Sequence, residues 1–529
     1  MEFRIFNQNF EMKNLFILTF GLFCSVQVSA QVTWADQAAQ VFYDRCTECH
    51  NVDGIGPMSL MEYAEAQTYG PLIQSYVQNG LMPPWTADTS YMHYSQERVL
   101  TQNEKDIILD WINDGMLEGD PAQTPPQPVY SGGQLLPGVP DLVINGFNYM
   151  SKATATSDDY VCFVIPSGLT QSRKVKAFEV IPGNRQIVHH CLVYSDDTGW
   201  LTTDTSGGCA GPPTSALMGG YTPGATPIIF PSTNDFSAGM ILPAGGDIVL
   251  AMHYPAGSYG EWDETKVNFY FYDEPVANFR EVSCEPIIQD WSFNIAADSF
   301  DSVEVATSGL PTDYTLMSVF PHMHLLGDYI EAWGITPMND TLPFSRIPQW
   351  DFDWQDFYWF EYMQKIPAGT TIHGKGIYNN TVTNPHNPNN PPQNVGAGLN
   401  TSDEMFLIYF HYMDYMLGDE DINVDSLTNE FLTTPEDDLQ SAFIQTYPNP
   451  FNSSTTIAYA LEKQAFVNVY IYDMQGRLVN ILQRGNQQQG THKLEWNGTN
   501  DKGAQVKSGV YFYSITIDGT AYSGKLMKR

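Results

Sequence analysis

The chain has 529 residues, a formal net charge of −36 at pH 7 and a sequence pI near 4.4. A surface this acidic repels phosphate backbones and anionic headgroups, which excludes nucleic acid and anionic membranes as partners. Charged residues make up only 16% of the chain, against roughly 25% in ordinary globular proteins, and the length exceeds one domain and suits about three or four.

In chain order, residues 1–30 come first. The run "MKNLFILTFGLFCSVQVSA" has a lysine, an apolar centre and a small-residue cleavage site ending at Ala30, which reads as a secretory signal with Met12 as a candidate start. Cys24 has Phe23 before it rather than a small residue, so no lipid anchor is expected. No later apolar run reaches membrane-spanning length, so no transmembrane span is expected either. The expected location is secreted or at the cell surface.

Residues 31–122 read as a small helical haem domain. "ADQAAQVFYDRC" is an amphipathic helix pattern running into "CTECH". In that spacing Cys46 and Cys49 can form thioethers to a c-type haem, with His50 as proximal iron ligand. A thioredoxin-type dithiol is the alternative, but no strand–helix–strand pattern surrounds the cysteines. For the sixth ligand the candidates are Met58, Met61, Met82 and Met92. Met82 in "NGLMPPW" is preferred, because a Pro-Pro stop after glycine makes a rigid loop; Met58 is the rival. The segment resembles small cytochrome c domains that end in "MPPW" followed by a helix, here "TQNEKDIILDWINDGM".

A Pro/Gly-rich stretch, 118–134, reads as a linker. Beyond it short runs such as "KVKAFEVI", "DIVLAMHY" and "KVNFYFY" alternate with turn residues, the pattern of an antiparallel β module. Five of the eleven histidines fall in three groups there: His189 and His190, His253, and His322 with His324, followed by Met405. That set reads as two metal sites. Adding a soft thioether to two imidazoles tilts the second towards copper. On a strand His322 and His324, two apart, share a face. His189 and His190 would diverge, and both reach one ion only where the backbone bends or bulges.

The ordered series HH, H, HxH and "DEM" resembles the copper type II, ascorbate-dependent monooxygenases, the family of the peptidylglycine- and dopamine-hydroxylating enzymes, over residues 135 to 420. The resemblance implies two eight-stranded antiparallel jelly-roll domains, 135–286 and 287–420, with one copper each. His189, His190 and His253 would hold an electron-transfer copper; His322, His324 and Met405 would hold the copper that activates O2. It implies hydroxylation of a C–H bond of a small-molecule substrate, with one oxygen atom leaving as water. The two electrons come from a donor: ascorbate in the family, or here the fused haem or a redox partner protein. A non-catalytic electron-transfer or copper-binding surface protein would carry the same ligands.

Peptide-amidating relatives are implied to anchor a substrate carboxylate with an arginine two residues before HxH, and with an asparagine and a tyrosine two and four residues after the methionine. Here those positions are Phe320, Leu407 and Tyr409, which suits a neutral, partly apolar or aromatic substrate. Cys162, Cys191, Cys209 and Cys284 allow three pairings in an oxidising compartment. The family implies Cys162 with Cys209; Cys191 could instead be a free thiol near copper. His411 is a candidate to line the cavity of Met405. The aromatic run 349–360 reads as sandwich core.

The acidic stretch 418–441 reads as a second linker. Residues 440–529 alternate apolar positions (Val467, Val469, Ile471) between Asn-Gly and Asp-Gly turns, an antiparallel immunoglobulin-like sandwich. Through "YPNPF", "VYIYDMQGRLV" and "WNGTNDKGAQVKSGVYFY" this block resembles the type A sorting domain of type IX secretion. That implies the type IX machinery as a partner and no role in catalysis.

Overall fold

The computed structural model describes residues 31–433 and 445–529, apart from 53, 129, 131–133, 210, 213–215, 234, 448, 450, 462, 474–476, 501 and 518–519. The signal reading of residues 1–30 lies outside the described residues, as does the end of the acidic stretch from 434. No helix among the described residues is long and apolar enough to cross a membrane. The fold is mainly β, in two compact units.

The helical unit comprises residues up to Trp85 and Arg98–Tyr130. The amphipathic pattern before the CxxCH sequence forms one π-helical turn, Trp34–Ala38, continuing into the α-helix Ala39–Arg45. Its buried face carries Trp34, Ala38 and Phe42, and Trp34 lies 5.1 Å from Phe42 and 5.5 Å from Trp111 between ring centroids. Trp111 comes from the helix Gln102–Asn113, which starts at a capping box between Thr101 and Glu104.

Residues 86–97 correct the expected boundary at 122: they belong to the β unit. Arg346 donates to Asp88 at 2.7 Å, Tyr94 stacks on Phe360, and the Ser95 amide donates to the Trp359 carbonyl. A β module beginning near 135 therefore lacks a segment that the fold uses.

The β unit opens with a pair of facing sheets. One runs Leu142–Asn145, Lys266–Phe271, Arg173–Ile181, Ser237–Leu242, Phe279–Glu281, with Ile228–Ile229 alongside. The other runs Asp204–Gly207, Asp159–Pro166, Asp247–Tyr254, His190–Asp196, Ala216–Tyr221. This half departs from the implied eight antiparallel strands: its main sheets hold six and five, and Phe279–Glu281 pairs in parallel with Ser237–Leu242. The second half has two four-stranded sheets, Ser283–Asp290, Phe406–Asp414, Tyr314–His322, Tyr358–Ile366 and Ser299–Ala306, Thr371–Asn380, Gly327–Ile335, Thr341–Ile347. Its first strand starts at Ser283, a few residues before the expected boundary. Thr371–Asn380 alternates buried and half-buried residues along its whole length, as a strand with one face on the core does. Cys162 and Cys209 form a disulfide. Cys191 and Cys284 are free and buried, and burial pushes both thiols up. Cys191 belongs to the hydrophobic core, on the strand face opposite His190, so the free-thiol alternative has an inert thiol rather than a reactive one.

The acidic stretch is no linker over 418–433. Asp419 accepts two hydrogen bonds at 2.7 Å from Arg280 and one from Thr315, and the helix Val424–Thr433 follows, with Val424 fully buried. Val424, Leu427 and Phe431 recur at helical spacing, a signal that the density of acids obscures. At the C-terminal end, a three-stranded and a four-stranded antiparallel sheet enclose Val467, Val469, Ile471, Trp496 and Leu526, as the alternation predicts.

Burial pushes the Asp419 carboxyl up, but Arg280 and Thr315 outweigh it and hold it below the usual carboxylate range. Its stabilising contribution is complete above that range and is lost as pH falls through the depressed value. Asp419→Ala leaves the half-buried Arg280 with the Asp414 carbonyl but without its counter-charge and is expected to destabilise the β unit by about 1–3 kcal/mol, read by chemical denaturation at neutral pH. The difference from wild type should shrink in acid.

Candidate metal centres

The first histidine group forms where two neighbouring strands end. His253 lies on Asp247–Tyr254 and pairs in register with His190, the first residue of His190–Asp196. His189 sits before the strand begins, and its amide donates to the His253 carbonyl at 3.0 Å. The two rings thus come together where the strand begins rather than along a regular strand. One ring nitrogen from each of His189, His190 and His253 lies within 4.8 Å of the others. The Nδ1 atoms of His189 and His190 face each other at 3.2 Å, a spacing that a shared proton or a metal ion satisfies.

Outward from this group the imidazoles meet carboxylates. Asp353 stands 3.8 Å from His189 Nε2, and Asp158 stands 3.6 Å from His253 Nε2, both too long for a hydrogen bond. His189 Nε2 and both ring nitrogens of His253 are buried without a hydrogen-bond partner. Buried polar atoms of this kind call for an explanation, and three convergent imidazoles with unused nitrogens fit a metal ion. Burial, joined by neighbouring histidines, holds His190 well below its ordinary value and His253 at about 4; the neutral ring is the form that ligates. Tyr160 lies flat on His253, with centroids 4.3 Å apart.

The second group departs from the simple strand reading. The strand Tyr314–His322 ends at His322, and His324 lies beyond it. The two rings still meet, 5.2 Å apart and nearly perpendicular. His322 Nδ1 donates to Gln355 Oε1 at 2.7 Å and His324 Nδ1 donates to the Asp403 carbonyl at 3.1 Å. Both rings are therefore fixed as the tautomer with a free Nε2, the usual way an outer partner orients a metal-binding imidazole. Burial lowers His322 to about 3 and His324 to about 4. Met405 is buried beside Glu404, whose carboxyl accepts backbone N–H groups from His324 (2.9 Å), Leu326 (2.5 Å) and Met405 (3.2 Å). Burial pushes Glu404 up to about 8 while these donors pull it down. Glu404 thus ties the backbones of His324 and Met405 together, and two imidazoles with a thioether are a donor set that fits a soft metal such as copper.

Phe320, Leu407 and Tyr409 occupy the face of the sheet that carries His322: Phe320 pairs with Tyr409 and His322 with Leu407 across adjacent strands. Phe320 stacks on Phe357 at 4.3 Å. His411 is not part of the group. Its Nε2–H donates to the Met218 carbonyl at 3.0 Å and its Nδ1 accepts from the Ser318 hydroxyl at 2.6 Å, so both nitrogens are used. The aromatic run 349–360 also differs from a pure core. Tyr358–Phe360 lie in a core strand, but Phe352 stacks on His189 at 4.6 Å and meets His324 edge-on at 5.9 Å. Phe352, Gln355, Asp158, Asp353 and Glu404 are site residues missed by sequence reasoning; for Glu404 alone a signal existed, its place in "DEM".

In the helical unit Cys46 and Cys49 form no disulfide, and burial pushes the Cys46 thiol up to about 12. His50 Nδ1 donates to the Met58 carbonyl at 3.1 Å, leaving Nε2 on the far side of the ring from the Met58 backbone. A Cβ on Gly56 would come within 2.5 Å of His50 Nδ1, so glycine is what lets the chain pass against the imidazole. Two thiols outside any disulfide and an oriented histidine fit a c-type haem. Met82 is half-buried in the same unit, whereas Met92 lies in the segment belonging to the β unit.

Residues 450–521 match the FlgD Ig-like domain family, which agrees with the C-terminal sandwich. No curated protein matches the chain. Solved structures similar to parts of it include PorZ of the type IX secretion system of Porphyromonas gingivalis (24% identity, 16% of this chain, 11% of that one, TM-score 0.13). Latent PorU of the same organism aligns at 11% identity over 70% of this chain and 34% of that one, with a TM-score of 0.14. A Ruminococcus gnavus β-glucuronidase aligns at 11% identity over 44% and 36%, with a TM-score of 0.11. The chain thus spans about a third or less of the length of each.

Glu404→Ala would leave three buried backbone donors without an acceptor, at about 1–3 kcal/mol each before relaxation. The expected loss of stability in chemical denaturation is roughly 2–5 kcal/mol, and Glu404→Gln, which keeps one acceptor oxygen, should lose less.

Proposed function

We propose that the chain is a secreted copper-dependent monooxygenase that hydroxylates a C–H bond of a small, neutral, partly apolar or aromatic molecule with O2, and that a fused c-type haem relays electrons to it. The observation that carries this reading is the pair of histidine groups: the Nδ1 atoms of His189 and His190 meet at 3.2 Å in a group with His253, whose two buried ring nitrogens have no hydrogen-bond partner, while Nδ1 of His322 and of His324 is held by Gln355 and the Asp403 carbonyl. When bound, copper supplies one-electron transfer at the first group and dioxygen activation at the second, and haem supplies an electron store.

The protein's own residues do the rest. Gln355 and the Asp403 carbonyl hold the Nδ1 protons of His322 and His324, so those rings cannot turn to offer the other nitrogen. Glu404 fixes the turn carrying His324 to the start of the strand carrying Met405. Phe320 and Leu407 give the face beside His322 an apolar character, and Tyr409 contributes a hydroxyl able to orient a substrate. A substrate carboxylate there would lack a cationic partner. In the helical unit Cys46, Cys49 and His50 would hold haem. Met82 is the sixth ligand in this reading, because the Met58 backbone is engaged on the Nδ1 side of His50, away from the nitrogen that would face iron. The C-terminal sandwich, through its resemblance to type A sorting domains, directs export by the type IX machinery to the cell surface or medium.

Oxygen uptake by the copper-loaded protein should require both a reductant and a substrate, and small alkyl-aromatic compounds should serve where glycine-extended peptides do not. Efficient peptide amidation would overturn the pocket reading, and reductant-dependent uptake with no hydroxylated product would favour the electron-transfer alternative. Met405→Ala should abolish hydroxylation while the His189, His190, His253 group still takes up one copper, measured by metal analysis.

A further inference from the structure

We infer that the two histidine groups bind their ions as a thermodynamically coupled pair, joined by the segments Trp350–Gln355 and Thr401–Met405. This rests on the reading of both groups as metal sites and goes beyond it, since two sites in one fold bind independently unless something shared differs between their filled and empty forms.

The first segment touches both groups. Phe352 is sandwiched between them, stacked on His189 at 4.6 Å and edge-on to His324 at 5.9 Å. Asp353 faces His189 Nε2, and two residues later Gln355 holds His322 Nδ1 at 2.7 Å. Trp350 Nε1 donates to the His324 carbonyl at 3.1 Å. The segment is pinned to the first half of the β unit as well, because Thr222 donates to the Gln355 carbonyl and Trp354 packs against Gly224, where even a Cβ would come within 3.3 Å of the indole.

The second segment makes the same crossing by an independent route. Thr401 hydrogen-bonds the Tyr160 hydroxyl at 2.9 Å, and Tyr160 lies flat on His253. Three residues further on, Glu404 clamps the backbones of His324 and Met405. An ion that fixes His189 and His253 therefore fixes Phe352 and Tyr160, and through them the two segments that orient His322, His324 and Met405. Ordering done for one ion does not have to be repeated for the other, which is positive coupling.

The test is a titration of the metal-free full chain with Cu(I) under argon, against a chromophoric chelator, so that affinity rather than activity is read. With the first group disabled by His189→Ala and His190→Ala, the second group should bind Cu(I) about 5- to 150-fold more weakly than in wild type. Disabling the second group by His322→Ala and Met405→Ala should weaken the first by the same factor. This reciprocity is required of true coupling, and unrelated structural damage would not reproduce it. Phe352→Ala should reduce both factors towards one. If Phe352→Ala fails to fold by circular dichroism, Phe352→Leu takes its place and the reciprocal pair still decides. Equal affinities with and without the other group, or unequal factors in the two directions, overturn the inference and leave the two-site reading standing. Absence of Cu(I) binding to wild type overturns that reading itself.

Discussion

The β unit is organised around a polar problem at its centre. Two groups of imidazoles meet across one phenyl ring, that of Phe352, which touches His189 on one side and His324 on the other, and burial holds four of the five below their ordinary basicity. A core can tolerate a neutral histidine when both nitrogens find partners, as His411 does between Ser318 and Met218. The histidines of the two groups do not follow that pattern. One nitrogen of His322 and one of His324 are satisfied, and both nitrogens of His253 are left over. Such a centre is costly in a fold that binds nothing there, and its surroundings make sense as an outer shell: a glutamine, a backbone carbonyl and two aspartates, each on the outward edge of a ring.

The same logic separates the two groups chemically. The first is three imidazoles flanked by Asp158 and Asp353, whose negative charge suits a bound cation. The second is two imidazoles and Met405, with the backbones of His324 and Met405 held by Glu404, a carboxyl that burial pushes up to about 8. On the proposed reading, a site of three nitrogens near two carboxylates and a site with a soft sulfur would differ in the oxidation state they favour in a metal such as copper. Both halves of the β unit contribute to this asymmetry through segments that cross between them, so the centre is a property of the whole unit and not of either sandwich alone.

Much of the architecture was legible because it is written in local periodicity. The strands Arg173–Ile181, Asp247–Tyr254 and Lys266–Phe271, the capped helix Gln102–Asn113 and the alternation of Val467, Val469 and Ile471 all follow from patterns of two or 3.6 residues. The grouping of the histidines was legible too, since such pairs are unusual and the fold brings His189, His190 and His253 together and His322 beside His324. What local pattern cannot carry is partnership across the chain. Residues 86–97 look like the tail of a helical domain, yet they pack with Trp359 and Phe360, more than 250 positions away. The helix Val424–Thr433 was hidden by its acids. Phe352 reads as one more core aromatic within a run of them, and only the folded chain shows that it separates two histidine groups.

The central claim is that the chain holds two chemically distinct metal sites, one of three nitrogens and one of two nitrogens and a sulfur. X-ray absorption at the copper edge of the Cu(I)-loaded full-length protein tests it most directly. The account predicts two coppers per chain whose averaged shell is dominated by imidazole and contains one thioether sulfur for every two coppers, with that sulfur lost in Met405→Ala and the remaining imidazole shell retained. A shell without sulfur in the wild type, or a single copper per chain, would contradict it.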